Sequence, residues 1–159
     1  MPPATGVSRA RDRACLTWGM LARRELGADA ERLIAAQDGV ISCSQALALG
    51  TSRKTIDRLI RDQRWTCTER GIFVAAPADP AGLRQRAWTG HLLGGDLSAI
   101  GGEASLALKG ARPEPPEIAV VVPAAVRHTL PSGYRLLRDA AGRLDHRRGT
   151  LACIRPEDA

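Results

Sequence analysis

The stretch from Gly50 to Asp62 constrains the fold more than any other. Gly50 suits the left-handed position that closes a helix, and Ser52, two residues on, is a strong N-cap for the next one. Ile56, Leu59 and Ile60 recur at i, i+3 and i+4, so a helix places them on a single side. Arg53, Lys54, Asp57, Arg58 and Arg61 then occupy the opposite side. Residues 51–62 carry four basic and two acidic side chains, a net of +2 on the outward face. A short rod held from behind by aliphatic residues and offering Arg and Lys outward matches the dimensions of a DNA major groove. An amphipathic helix with a merely solvated charged face fits the same residues, so the flanking segments decide.

Upstream, residues 28–37 read as a helix with Leu33 and Ile34 toward its inner face and Gly39 as its stop. Val40 and Ile41 suit a short strand. Ser42 and Gln45 have capping-box spacing, and the helix they open runs through Leu49 to Gly50. Two helices joined across a Gly-containing turn form a helix-turn-helix. Beyond Asp62 the apolar pattern becomes strand-like: Trp65–Thr68 and Ile72–Ala75 flank a turn at Glu69, Arg70 and Gly71. Helix, helix, outward helix and β-hairpin, in that order, spell a winged helix-turn-helix over residues 28–76. Trp65 and Phe73 are expected in the core beneath the wing, and Arg61, Arg64 and Arg70 are candidates for phosphate contacts.

Residues 79–159 read as a small α/β unit, so the fold class is α+β. Asp79 and Pro80 suit the start of a helix whose apolar side is Leu83, Ala87, Trp88 and Leu92. Leu97 to Gly102 reads as a turn into a short helix, Glu103–Leu108. A Pro-rich link leads to the clearest strand, Ile118–Pro123, and Tyr134–Arg138 and Thr150–Ile154 are further strand candidates. With the last strand so close to the end of the chain, an uncovered face or edge is expected. Residues 1–27 read as an extension, a mobile arm or extra helix, and Met20 competes with Met1 as the start.

Across 159 residues, 23 Lys and Arg against 17 Asp and Glu give a net charge of +6, which favours a polyanionic partner. The excess of Arg over Lys, with abundant Ala, Gly and Pro, is also what a GC-rich coding sequence produces, so charge alone does not choose the partner. Cys15, Cys43, Cys67 and Cys153 are scattered, as are His91, His128 and His146, without the spacing of a metal site or a disulfide framework. Buried, reduced thiols in a cytoplasmic protein are expected. No apolar run approaches the ~20 residues that cross a bilayer, and no secretory signal pattern opens the chain. No clustered carboxylates beside a Lys, phosphate loop or nucleophile–base set has supporting context, so neither catalysis nor a cofactor is expected.

The stretch Ile34–Val74 resembles the N-terminal winged helix of AbiEi-type antitoxins, components of type IV toxin–antitoxin systems. It does so through Gly39-Val40-Ile41, Ser42 with Gln45-Ala46-Leu47, Gly50 with Ser52-Arg53, Ile56, Arg64-Trp65 and Gly71-Ile72-Phe73-Val74. Residues 96–154 are similar to the start of the domain that follows in that family, with Ala104–Gly110 as a small-residue helix and Ile118–Pro123 as the next strand. Gly102-Glu103 stands where the family commonly has His-Arg, Lys109 where it commonly has Trp, and family members usually run on past the equivalent of Ala159. The resemblance implies a DNA-binding repressor of its own operon that counters a nucleotidyltransferase-like toxin, with or without direct contact. Ser52, Arg53, Lys54, Thr55, Asp57, Arg58, Arg61, Arg64 and Arg70 are the expected DNA-binding residues. Inverted-repeat operators in the family leave a homodimer on DNA open. The competing expectation is a protein-interaction module, or a truncated relic, whose winged helix no longer binds DNA specifically.

Overall fold

The computed structural model describes residues 26–75, 82–140, 142, 144 and 153. Among them are five helices and two three-stranded sheets in a mixed α/β arrangement. The first part runs α1 (Ala28–Ala36), β1 (Val40–Ser42), α2 (Cys43–Ala48), α3 (Arg53–Arg61), β2 (Trp65–Glu69) and β3 (Ile72–Ala75). Its boundaries are set by local chemistry. Gln45 N–H donates to Ser42 Oγ at 3.1 Å while Ser42 N–H donates to Gln45 Oε1 at 3.0 Å, a closed capping box that starts α2. Gly50 ends it with φ +84, Thr51 N–H reaching Ala46 O and Gly50 N–H reaching Leu47 O, both at 3.0 Å. Non-glycine residues hold the same left-handed position after α1 and α3: Asp38 at φ +52 and Gln63 at φ +56.

Sheet order is β1-β3-β2, antiparallel throughout, with Ile41 opposite Phe73 and Cys67 opposite Phe73 on its other side. One face, with Ile41, Phe73 and Trp65, closes on Ala46, Ile56 and Leu59 of the helices. Trp65 and Phe73 lie in this core as expected, and their rings stack at 5.7 Å. Leu26 also belongs to this core, although it falls inside the expected extension. Residues 1–25, with the expected helix around Leu16, lie outside the described residues.

Helix α4 (Leu83–Gly94) serves both halves. Trp88, Leu92 and Leu93 cover Val40, Ile72 and Val74 on the second face of the first sheet. Ala87 and Leu83 pack instead into a second core with Ile100, Ile118, Val120 and Val122. A helix buried on two sides carries little polar surface, and residues 87–91 are all buried. Gly90 and Gly94 bring α4 close to the second sheet: a Cβ at Gly94 would lie 2.7 Å from Val120 Cγ1. Asp79 and Pro80, the expected start, lie outside the described residues, and the helix itself begins at Leu83 after Gly82.

The second sheet has the order β4-β5-β6, from β4 (Ala99–Gly101), β5 (Ile118–Pro123) and β6 (Tyr134–Asp139), with α5 (Gly102–Leu108) between the first two. Strand β4 is a finding, since those residues read as a turn. It pairs antiparallel with β5, so that Ile100, fully buried, meets Val120. β5 and β6 run parallel from Ile118–Tyr134 to Pro123–Asp139. Of the expected strand Thr150–Ile154 only Cys153 is described, bridging in parallel to Ile100.

Candidate nucleic-acid interface

Helix α3 is fixed from behind and exposed in front. Ile56 and Leu59 are buried in the first core and Ile60 packs partly against it. Ser52 caps the helix, accepting from Thr55 N–H at 3.1 Å, and Gly50 sets the entry of the chain. The far end closes with Arg64 N–H on Leu59 O at 2.9 Å and Gln63 N–H on Ile60 O at 3.0 Å. At 100° per residue, Lys54, Asp57, Arg58 and Arg61 form the strip opposite Ile56 and Leu59, and Arg53 flanks it. All five are exposed. Among the described residues Arg53, Lys54, Asp57, Arg61 and Arg70 enter no ion pair.

The remaining expected contacts are placed differently. Thr55 is half-buried, and its hydroxyl lies 3.0 Å from Ser52 Oγ, so this pair serves the cap rather than facing outward. Arg64 is half-buried at the start of the hairpin, with one guanidinium nitrogen shielded from solvent. Arg70 is exposed at the hairpin tip beside Gly71, which turns the chain at φ +78. Cys43 N–H donates to Gly71 O at 2.7 Å, tying this tip to the start of α2. Cys67, beside a bulge before Glu69, is exposed, against the expectation of buried thiols; Cys43 and Cys153 are half-buried, and Cys15 lies outside the described residues.

The cluster with the most developed polar geometry was not legible beforehand. Asp38 accepts from Arg84 Nε at 2.9 Å and from Trp88 Nε1 at 3.0 Å, and its carbonyl accepts from Gln85 Nε2 at 2.9 Å. The Arg84 bond, aided by Trp88 and opposed by partial burial, holds the Asp38 carboxyl below its ordinary range. Its partners stand 46 to 50 positions away, a separation that no local sequence pattern reports. It joins α4 to the turn before β1. His91 and Ser98 are also paired, 2.9 Å apart. Both are buried and Ser98 Oγ donates to His91 O, a packing role. Among the described residues no three His, Cys, Asp or Glu stand together as metal ligands, and no helix is long and apolar enough to cross a membrane.

In comparison with known proteins, no protein-family model matches this chain, and no curated protein matches it significantly.

Proposed function

We propose that this chain is a winged helix-turn-helix DNA-binding protein with α3 as its reading helix and the β2–β3 hairpin as its wing. The observation that carries the reading is the exposed strip of Lys54, Arg58 and Arg61 on a helix whose reverse side is anchored by Ile56 and Leu59. The order helix, strand, helix, helix, hairpin, with β3 between β1 and β2, supports it. So does a net charge of +6. On this reading Arg53, Lys54 and Arg58 approach base edges, where guanine is the preferred partner of Arg and Lys. Arg61, Arg70 and the accessible side of Arg64 hold phosphates.

The resemblance carried by Ser42, Gln45, Gly50, Ser52, Arg64 and Gly71 extends the proposal to an AbiEi-type antitoxin that represses its own operon in the cytoplasm. Its functional partner is then a nucleotidyltransferase-like toxin, and paired copies bind an inverted repeat. Anisotropy titrations of the full chain on the upstream promoter and on a random duplex test the DNA half. Three phosphate contacts give a slope of about −2.7 in log affinity against log salt, a loss of about fortyfold between about 50 and 200 mM. Arg58→Ala is expected to narrow the gap between promoter and random DNA, with a loss of about 1–3 kcal/mol, whereas Arg70→Ala weakens both alike. Affinity that ignores salt would refute the reading and favour a protein-interaction module. Coexpression with the nucleotidyltransferase-like neighbour, scored as relief of growth arrest, tests the antitoxin half separately.

A further inference from the structure

We infer that Asp57 is the specificity-determining residue of the α3 surface, selecting a cytosine through its exocyclic N4 amino group at one position of the duplex. The inference rests on the DNA-binding reading above and names what that surface selects. Three observations lead to it. First, Asp57 lies in the strip it shares with Lys54, Arg58 and Arg61, within an arc of about 100° centred opposite the buried Ile56 and Leu59. Second, it is exposed and enters no ion pair among the described residues. Arg61 stands four residues toward the C-terminus, the favourable order for an acid–base pair on a helix. A carboxylate kept only to stabilise α3 would close that pair.

Third, the carboxylate faces the wrong way electrostatically for a surface that merely attracts a polyanion. Set against phosphates, an acid on the edge of a basic strip weakens binding to every sequence. It becomes favourable only where it accepts a hydrogen bond from the groove floor. Two bases offer an amino donor there, cytosine at N4 and adenine at N6. Adenine sets the acceptor N7 beside its amino group, and that lone pair repels the second carboxylate oxygen. Cytosine has a C–H at the neighbouring position and no such acceptor. The guanine paired with it presents N7 and O6, which suit a basic neighbour on the same strip.

Selection of bound duplexes from a random library, run with the full-length wild type, Asp57→Ala and Asp57→Asn, tests the assignment. Wild type is expected to enrich a cytosine at one fixed position, where any other base lowers affinity about tenfold to a hundredfold. Asp57→Ala should lose the preference at that position alone while gaining several-fold affinity for random duplex. Asp57→Asn should shift the preference toward adenine, because an amide matches adenine's donor and acceptor together. Unchanged base preferences in both variants would overturn the assignment while leaving DNA binding intact. A wild type without salt-dependent affinity would overturn both. Circular dichroism of the variants checks that the exposed substitution leaves the fold in place; altered stability with unaltered preference would reduce Asp57 to a structural residue.

Discussion

Replacing Asp38 with Ala isolates the connection between α4 and the first sheet, and its cost follows from the geometry. Two side-chain bonds disappear, from Arg84 Nε and Trp88 Nε1, while the bond from Gln85 to the Asp38 carbonyl survives. The Arg84 and Asp38 side chains are 61% and 31% exposed, so that pair contributes at most about 0.5 kcal/mol after screening. Trp88 is 4% exposed, and its indole N–H would be left without its charged acceptor, which costs about 1.5–3 kcal/mol. The expected total is about 2–3.5 kcal/mol. Asp38→Gly removes the same bonds but relieves the left-handed backbone at φ +52, returning about 1 kcal/mol. Arg84→Ala should cost no more than about 0.5 kcal/mol. Urea unfolding of the full chain, followed by far-ultraviolet circular dichroism, orders the three variants. The reasoning is refuted if Asp38→Ala lies within about 0.5 kcal/mol of wild type, or no further from it than Arg84→Ala. Acid supplies a second check. Because the Asp38 carboxyl is held below its unfolded value, its stabilisation is present above that value and lost as pH falls below about 3.9. The gap between wild type and Asp38→Asn should therefore close on acidification.

Three further outcomes are expected. Gln63→Gly should raise stability by about 1 kcal/mol, since Gln63 holds φ +56 at the end of α3; a loss in urea unfolding would contradict that. Gly90→Ala should destabilise by about 1–3 kcal/mol despite alanine's better helix propensity, because the new methyl would stand 2.9 Å from Val120 Cγ2 and 3.1 Å from Tyr134; calorimetry of the full chain measures it. Burial pulls His91 below its ordinary value, partly offset by the Ser98 bond, so its imidazole should titrate by NMR with a midpoint below about 6.5. The unfolded chain then binds the extra proton first, and the His91 contribution, full above pH ~6.5, falls as pH drops below it.

The first half of the chain was legible because its punctuation is local. Ser42 with Gln45, Gly50, and Ser52 with Thr55 each act within three or four residues, and each cap forms between atoms that the sequence places side by side. What escaped reading depends on distant partners. Ala99–Gly101 is too short to show a strand period and is a strand because β5 lies beside it. Ile72, Phe73 and Val74 form an unbroken apolar run, the pattern of a strand buried on both faces. Which element covers the second face is decided by Trp88, far along the chain. Within the candidate interface, helical period fixed the strip of Lys54, Asp57, Arg58 and Arg61. It could not report that the Thr55 hydroxyl turns to Ser52 or that Arg64 sinks partly beside the hairpin.

The position of α4 bears on how firmly α3 and the β2–β3 hairpin are held. Strand β3 is clamped between two walls, the helices on its Phe73 side and α4 on its Val74 side. Burying a side chain such as Val, Ile or Leu contributes about 1.5–3 kcal/mol. Val40, Ile72 and Val74 together therefore draw several kcal/mol from covering by α4, a large fraction of the 5–15 kcal/mol that stabilises a typical domain. The same helix enters the second core through Ala87 and approaches β5 closely at Gly90 and Gly94. A shift of the second sheet must then either open the Gly94–Val120 contact or carry Trp88 with it. In the latter case Asp38 and the second face of the hairpin move as well, because Trp88 bonds the one and packs on the other. Among the described residues α4 thus packs on both sheets, and the hairpin's angle to α3 depends on residues well outside the first sheet and its helices.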